Sequence, residues 1–227
     1  MSESNKAMWL KDFEQVESQR TDCFLCRPAA QLVAHVDSEQ YTMAGLGPLA
    51  DGYAIIATNT HSSDKEENTQ LLSESFAKYS ESVQAILATQ FGSCVLTEHG
   101  KMPLCLPDAQ SETHCFHKHL LLFPGVPDPC AEFYDYFDAE GEHFVSLFEA
   151  LKFAAKLPRY LLVSSRVGEY LIFATQDLPR QFARVIVAEL LDQPDLASWR
   201  THPNGDWALQ NATFLRQLLA DNFRQTR

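Results

Sequence analysis

Apolar residues recur along this chain at spacings that change from segment to segment, and those changes predict its elements. Met8, Leu10, Phe13 and Val16 fall roughly on one side of a helix over residues 1–20. Residues 31–36 and 40–45 read as short strands, and Tyr53 to Thr58, Tyr-Ala-Ile-Ile-Ala-Thr, as a buried strand running directly into His61. Leu71, Leu72, Phe76, Tyr79, Val83, Ile86 and Leu87 return to three- and four-residue spacing, which predicts a helix over 66–90. Strands follow at 93–97, ending on Glu98-His99-Gly100, and at 113–123, stopped by Pro124-Gly125, with a proline-bearing loop over 101–112 between them. The last third predicts a helix over 143–156, a strand pair at 159–165 and 169–174 across Val167-Gly168, and helices over 179–191 and 207–223. This order predicts an α+β protein in which an antiparallel sheet carries helices on one side, with a C-terminal α/β extension. It divides into an N-terminal helix at 1–20, a core at 21–130 and the extension at 131–227.

Composition narrows the partners. The 227 residues suffice for a large core, and a formal net charge of −12 argues against nucleic-acid duplexes, whose phosphates reward basic surface. A local pocket can still oppose the global charge and take a small anion. No apolar run approaches the roughly 20 residues that span a bilayer, and the first residues are too polar for a signal peptide, so the expected location is the cytoplasm. Six cysteines, two of them in Cys23-Phe-Leu-Cys26, suit metal or redox use in a reducing compartment better than a disulfide framework.

The chemistry concentrates in Cys115-Phe-His117-Lys-His119-Leu-Leu. Only 8 residues are histidine, yet His114, His117 and His119 fall within six positions. On a strand, Cys115, His117 and His119 share one face. Imidazoles so placed can surround an anion, one attacking phosphorus while its neighbour orients it. From spacing alone, the same pair is equally a packing feature or an incidental metal site.

The segment resembles the histidine-triad (HIT) signature, His-x-His-x-His followed by two apolar residues, with His117 and His119 in the second and third histidine positions. Cys23-Phe-Leu-Cys26 resembles the Cys-x-x-Cys that opens many HIT domains, and Gly47 through His61 resembles the family's strand leading to a histidine. Glu98-His99-Gly100, Leu178 through Arg184 and Trp199-Arg200 are similar to segments of longer bacterial HIT-like proteins.

That resemblance implies a HIT-like antiparallel sheet and a nucleotide hydrolase acting on a dinucleoside polyphosphate, or on a related phosphoanhydride or phosphoramidate. It makes His117 the nucleophile that forms a nucleotidyl intermediate and His119 its phosphate-contacting neighbour. Ser111, Thr113, Gln110 and His99 become the nucleotide and phosphate contacts. It also implies structural zinc on Cys23, Cys26, His61 and Cys115, the cysteine standing where the triad's first histidine would be. A small-molecule nucleotide is then the partner, and a homodimer pairing sheets across a two-fold axis is compatible with the family. A nucleotidyltransferase or phosphorylase is the nearest alternative. A non-catalytic nucleotide-binding zinc module is the other, favoured by Glu112 beside the phosphate site and by Met43-Ala-Gly45 where an acidic ribose contact is common.

Overall fold

The buried apolar runs of the first half become three adjacent strands: β1 (Val33–Val36), β2 (Gln40–Ala44) and β3 (Ala54–Thr58). The computed structural model describes residues 3–18, 23–60, 73–100, 117–175, 178–179 and 181–225. Every residue of β2 and β3 is buried, as continuous apolar runs should be when both faces of a sheet are covered. The helical spacing beyond them forms α2 (Glu74–Phe91). Ser73 caps its start by accepting the Phe76 N–H at 2.9 Å, and Gly92 ends it at φ 87°, a left-handed conformation that a Cβ would strain.

The next two strands are β4 (Cys94–Gly100) and β5 (His119–Pro124). Strand β4 runs past the expected end at Thr97, because β7 (Tyr160–Arg166) of the extension pairs with Leu96 through Gly100. Beyond β7 the sheet continues through β8 (Glu169–Ala174) to the short edge strand β6 (Glu142–Phe144). The result is one eight-stranded sheet in the order β1-β2-β3-β5-β4-β7-β8-β6, antiparallel at each pairing. Residues 131–227 therefore extend the sheet of residues 21–130 directly.

The α+β class with an antiparallel sheet is as expected, and the register sorts its two faces. Thr97 and His99 of β4, Leu121 of β5 and Leu161 and Val163 of β7 share one face, by cross-strand pairing and alternation. His119 joins them by alternation with Leu121. Leu96, Glu98, Leu122, Leu162 and Ser164 lie on the other, where α2 packs through Gln84, whose amide donates to the Ser164 hydroxyl at 3.2 Å. Helix α4 (Leu147–Ala154) stands beside α2, and α6 (Gly205–Gln225) covers β1 and β2, its Phe223 stacking on Tyr79. The extension also places α3 (Cys130–Phe137) and α5 (Phe182–Leu190) on the histidine face. There Phe173 of β8 meets Phe133 and Phe137, and Phe182 meets Phe133. Helix α1 (Glu3–Ser18) leans on α6, where Glu14 accepts the Gly205 N–H, while Met8 and Val16 of its expected apolar face stay exposed. Among the described residues, no helix is long and apolar enough to cross a membrane.

Candidate functional site

The chain between α1 and β1 makes a tight turn in which the Cys26 N–H donates to the Cys23 carbonyl at 3.1 Å. The Tyr41 hydroxyl of β2 donates to Leu25 O at 2.6 Å, fastening this knuckle to the sheet. Burial and then the neighbouring Cys23 and Cys26 raise the Tyr41 phenol well above its usual range, so it stays a neutral donor. Both thiols are free of disulfides and converge on His117, whose Nδ1 is 3.7 Å from Cys23 Sγ and 3.5 Å from Cys26 Sγ.

The other nitrogen of His117 sets its tautomer. Nε2 lies 2.6 Å from Thr58 O, and a carbonyl only accepts, so Nε2 carries the proton and Nδ1 presents its lone pair to the sulfurs. A ring that donates one N–H to a backbone carbonyl while the other nitrogen faces thiols has the arrangement of a metal-ligating histidine. Zinc bond lengths of roughly 2.3 Å to sulfur and 2.0 Å to nitrogen, at a tetrahedral angle, separate N and S by roughly 3.5 Å. The observed separations match, and all three ligand atoms lie within 4.8 Å of one another. The donor set fits zinc.

His119 is oriented in the opposite sense. Its Nδ1 donates to His117 O at 2.9 Å, which leaves the lone pair on Nε2. Burial depresses its pKa foremost, against the raising effects of that hydrogen bond and of Glu98, so the neutral, nucleophilic form is favoured. His99 stands near it on the same face. The Ala183 N–H, in the first turn of α5, donates to His99 Nε2 at 3.0 Å, so Nδ1 carries the proton of the neutral ring.

Burial, and then the nearby His119, press the His99 pKa from 6.5 down to about 4. A base depressed on folding contributes stability that is complete above its unfolded pKa and is lost as pH falls through the folded one. Melting temperature should therefore drop as pH is lowered from 6.5 toward 4, and less steeply in His99→Gln, whose amide oxygen can still accept from Ala183. Parallel slopes for the two proteins would show that His99 does not titrate this way.

Lys118, between the two histidines, carried no expected role in the sequence. The structure buries it behind the histidines. Its ammonium lies 3.0 and 3.2 Å from the two Glu98 oxygens and 3.3 Å from the Tyr160 hydroxyl, which donates to Glu98 at 2.9 Å. Side-chain exposure is only 6% for Lys118 and 5% for Glu98. Gly100 makes room for this arrangement, since a Cβ there would run into the Tyr160 ring.

His61, Cys115, Gln110, Ser111 and Thr113 lie outside the described residues, as do Glu112 and Arg180. Arg184 is neither a solvated residue nor turned to a ligand. It is 3% exposed, donates to the carbonyls of Ala197, Gly47 and Leu196, and covers the Tyr53 ring. It ties α5 to the loop before β3. The aromatic run of residues 133–137 packs against Phe173 and Phe182 as core.

No family model and no curated protein matches the chain. Among solved structures it is similar to a HIT-like protein from Bartonella henselae, involved in cell-cycle regulation and holding an unknown ligand. The identity is 14% and the TM-score 0.33, over 46% of this chain and 77% of that one. It is also similar to yeast Ap4A phosphorylase in complex with AMP, at 13% identity and a TM-score of 0.36, over 79% of this chain and 78% of that one. Likenesses this loose carry no argument about chemistry, which rests on the side chains.

Proposed function

We propose that the protein is a nucleotide hydrolase working through a nucleotidyl-histidine intermediate formed on Nε2 of His119, and that Cys23, Cys26 and His117 hold a structural zinc ion. The observation that carries this reading is the opposed orientation of the two histidines. Both ring nitrogens of His117 are engaged, one with Thr58 O and one facing the thiols, whereas His119 has its proton on Nδ1 and its lone pair on Nε2. The nucleophile's role therefore passes from His117 to His119.

In the first step Nε2 attacks the α-phosphorus of a bound nucleotide. A P–N bond forms, the bond to the leaving oxygen breaks, and the leaving group takes up a proton. Water then attacks the same phosphorus and releases a proton to solvent, balancing the one the leaving group took up, while the P–N bond breaks and its electron pair returns to Nε2. The His117 carbonyl holds the His119 ring through both steps and stabilises the cationic ring of the intermediate. His99 offers a neutral N–H toward the phosphoryl group, with Ser111, Thr113 and Gln110 as further donors. Zinc, when bound, clamps the knuckle to the histidine segment, and His61 or Cys115 supplies the fourth ligand. A transferase or phosphorylase differs only in what resolves the intermediate.

The test is a panel of adenine and guanine dinucleoside polyphosphates and nucleoside phosphoramidates, with acid-quenched protein weighed for a covalent nucleotidyl group and metal read by elemental analysis. Turnover, a trapped adduct and stoichiometric zinc that is lost in Cys23→Ser are expected. Binding without turnover across the panel would identify a nucleotide-binding zinc module instead.

A further inference from the structure

The backbone ladder between β4 and β5 stops short of the histidines. Its pairs run from Cys94 with Pro124 to Thr97 with Leu121, and none is formed beyond that point among the described residues. His117 and Lys118 precede the first residue of β5. On the β3 side, one hydrogen bond from the Thr58 N–H to Lys118 O, at 3.1 Å, carries the pairing past the end of the strand. Regular pairing with β3 reaches His119, opposite Ala57, but on the β4 side both histidines and Lys118 lie beyond the last pair.

What bridges β4 and β5 there is Glu98, Lys118 and Tyr160, one from β4, one from the histidine segment and one from the first position of β7. Charges buried this deeply do not explain themselves by stability, because desolvation offsets their attraction and apolar replacements are often as stable. Their best-attested use is to specify register. Register is critical here, since a slip of one residue would turn His117 and His119 to the opposite face and bring Lys118 toward the thiols. In the observed register Lys118 meets Glu98, and Tyr160 ties the extension into that choice.

We propose that the buried Glu98–Lys118–Tyr160 triad is a register lock that positions His117 and His119, taking over where the β4–β5 backbone ladder ends. It rests on the reading of those histidines as the working face, but its test involves neither metal nor nucleotide, so the two can fail separately.

The test compares wild type with the apolar triple variant Glu98→Leu, Lys118→Met, Tyr160→Phe by melting temperature and by residue-resolved amide hydrogen exchange. The triple variant should melt within a few degrees of wild type. Protection of the Thr58 amide should fall at least ten-fold while that of the β2 amides holds. Tyr160→Phe, which keeps the ion pair and loses one hydroxyl, should lose protection at Thr58 three-fold or more without a change in melting temperature, and it decides the matter alone should the triple variant not fold. Wild-type protection at Thr58 in a folded triple variant, or in Tyr160→Phe when only that variant folds, overturns the lock.

Discussion

His119→Asn is expected to lose turnover on the order of 10⁴-fold or more while keeping its fold and zinc, because removal of a covalent nucleophile takes away the reaction path itself. Asparagine is short enough for the half-buried site and can still donate toward His117 O, so the local backbone has no reason to move. His117→Asn should behave differently. It removes the nitrogen facing Cys23 and Cys26 together with the donor to Thr58 O, so zinc content falls first and activity follows through disorder of the knuckle. Zinc analysis and turnover measured on both variants separate the roles. A His117→Asn protein with full zinc and no turnover, beside an active His119→Asn protein, would return the nucleophile to His117.

The proposed move of that role from His117 to His119 has a physical origin. Alternation along a strand puts His117 and His119 on one face, and motif spacing treats them as equivalent. What distinguishes them is the tautomer each is held in, and that depends on Thr58, 59 residues away, and on Cys23 and Cys26, more than 90 residues away. The cysteine pair was legible as two thiols three apart, and His117 joins it in the structure, while His61, the histidine expected beside it, lies outside the described residues. The elements were more readable than the contacts between them. The continuous apolar runs of β2 and β3 and the three- and four-residue spacing of α2 are local signals. The last residues of β4 were missed because their pairing comes from β7, some 60 residues later. Helix α3 was missed because Phe133 through Phe137 reads as an aromatic cluster before it reads as a helix. Arg184 shows the same limit, since nothing local in a helix reveals that a guanidinium is buried on three carbonyls.

Lys118 carries the largest expected effect on stability. Lys118→Met should cost about 3–5 kcal/mol, because it leaves the Glu98 carboxylate buried with only the Tyr160 hydroxyl to satisfy it. For a protein of this size that is a fall of roughly 6–20 °C in melting temperature, readable by thermal or urea unfolding. Glu98→Leu alone should lose a comparable amount by stranding the ammonium, whereas removing the whole triad strands nothing. The single and triple variants therefore form a cycle in which the losses do not add, and the coupling measures how tightly the three groups act as one. Adding the Glu98 and Tyr160 replacements to Lys118→Met should restore most of the lost stability and none of the protection at the Thr58 amide. Stability and placement of the histidines would then be separable properties of the same three side chains: the first needs only that no charge be left alone, the second needs the charges themselves.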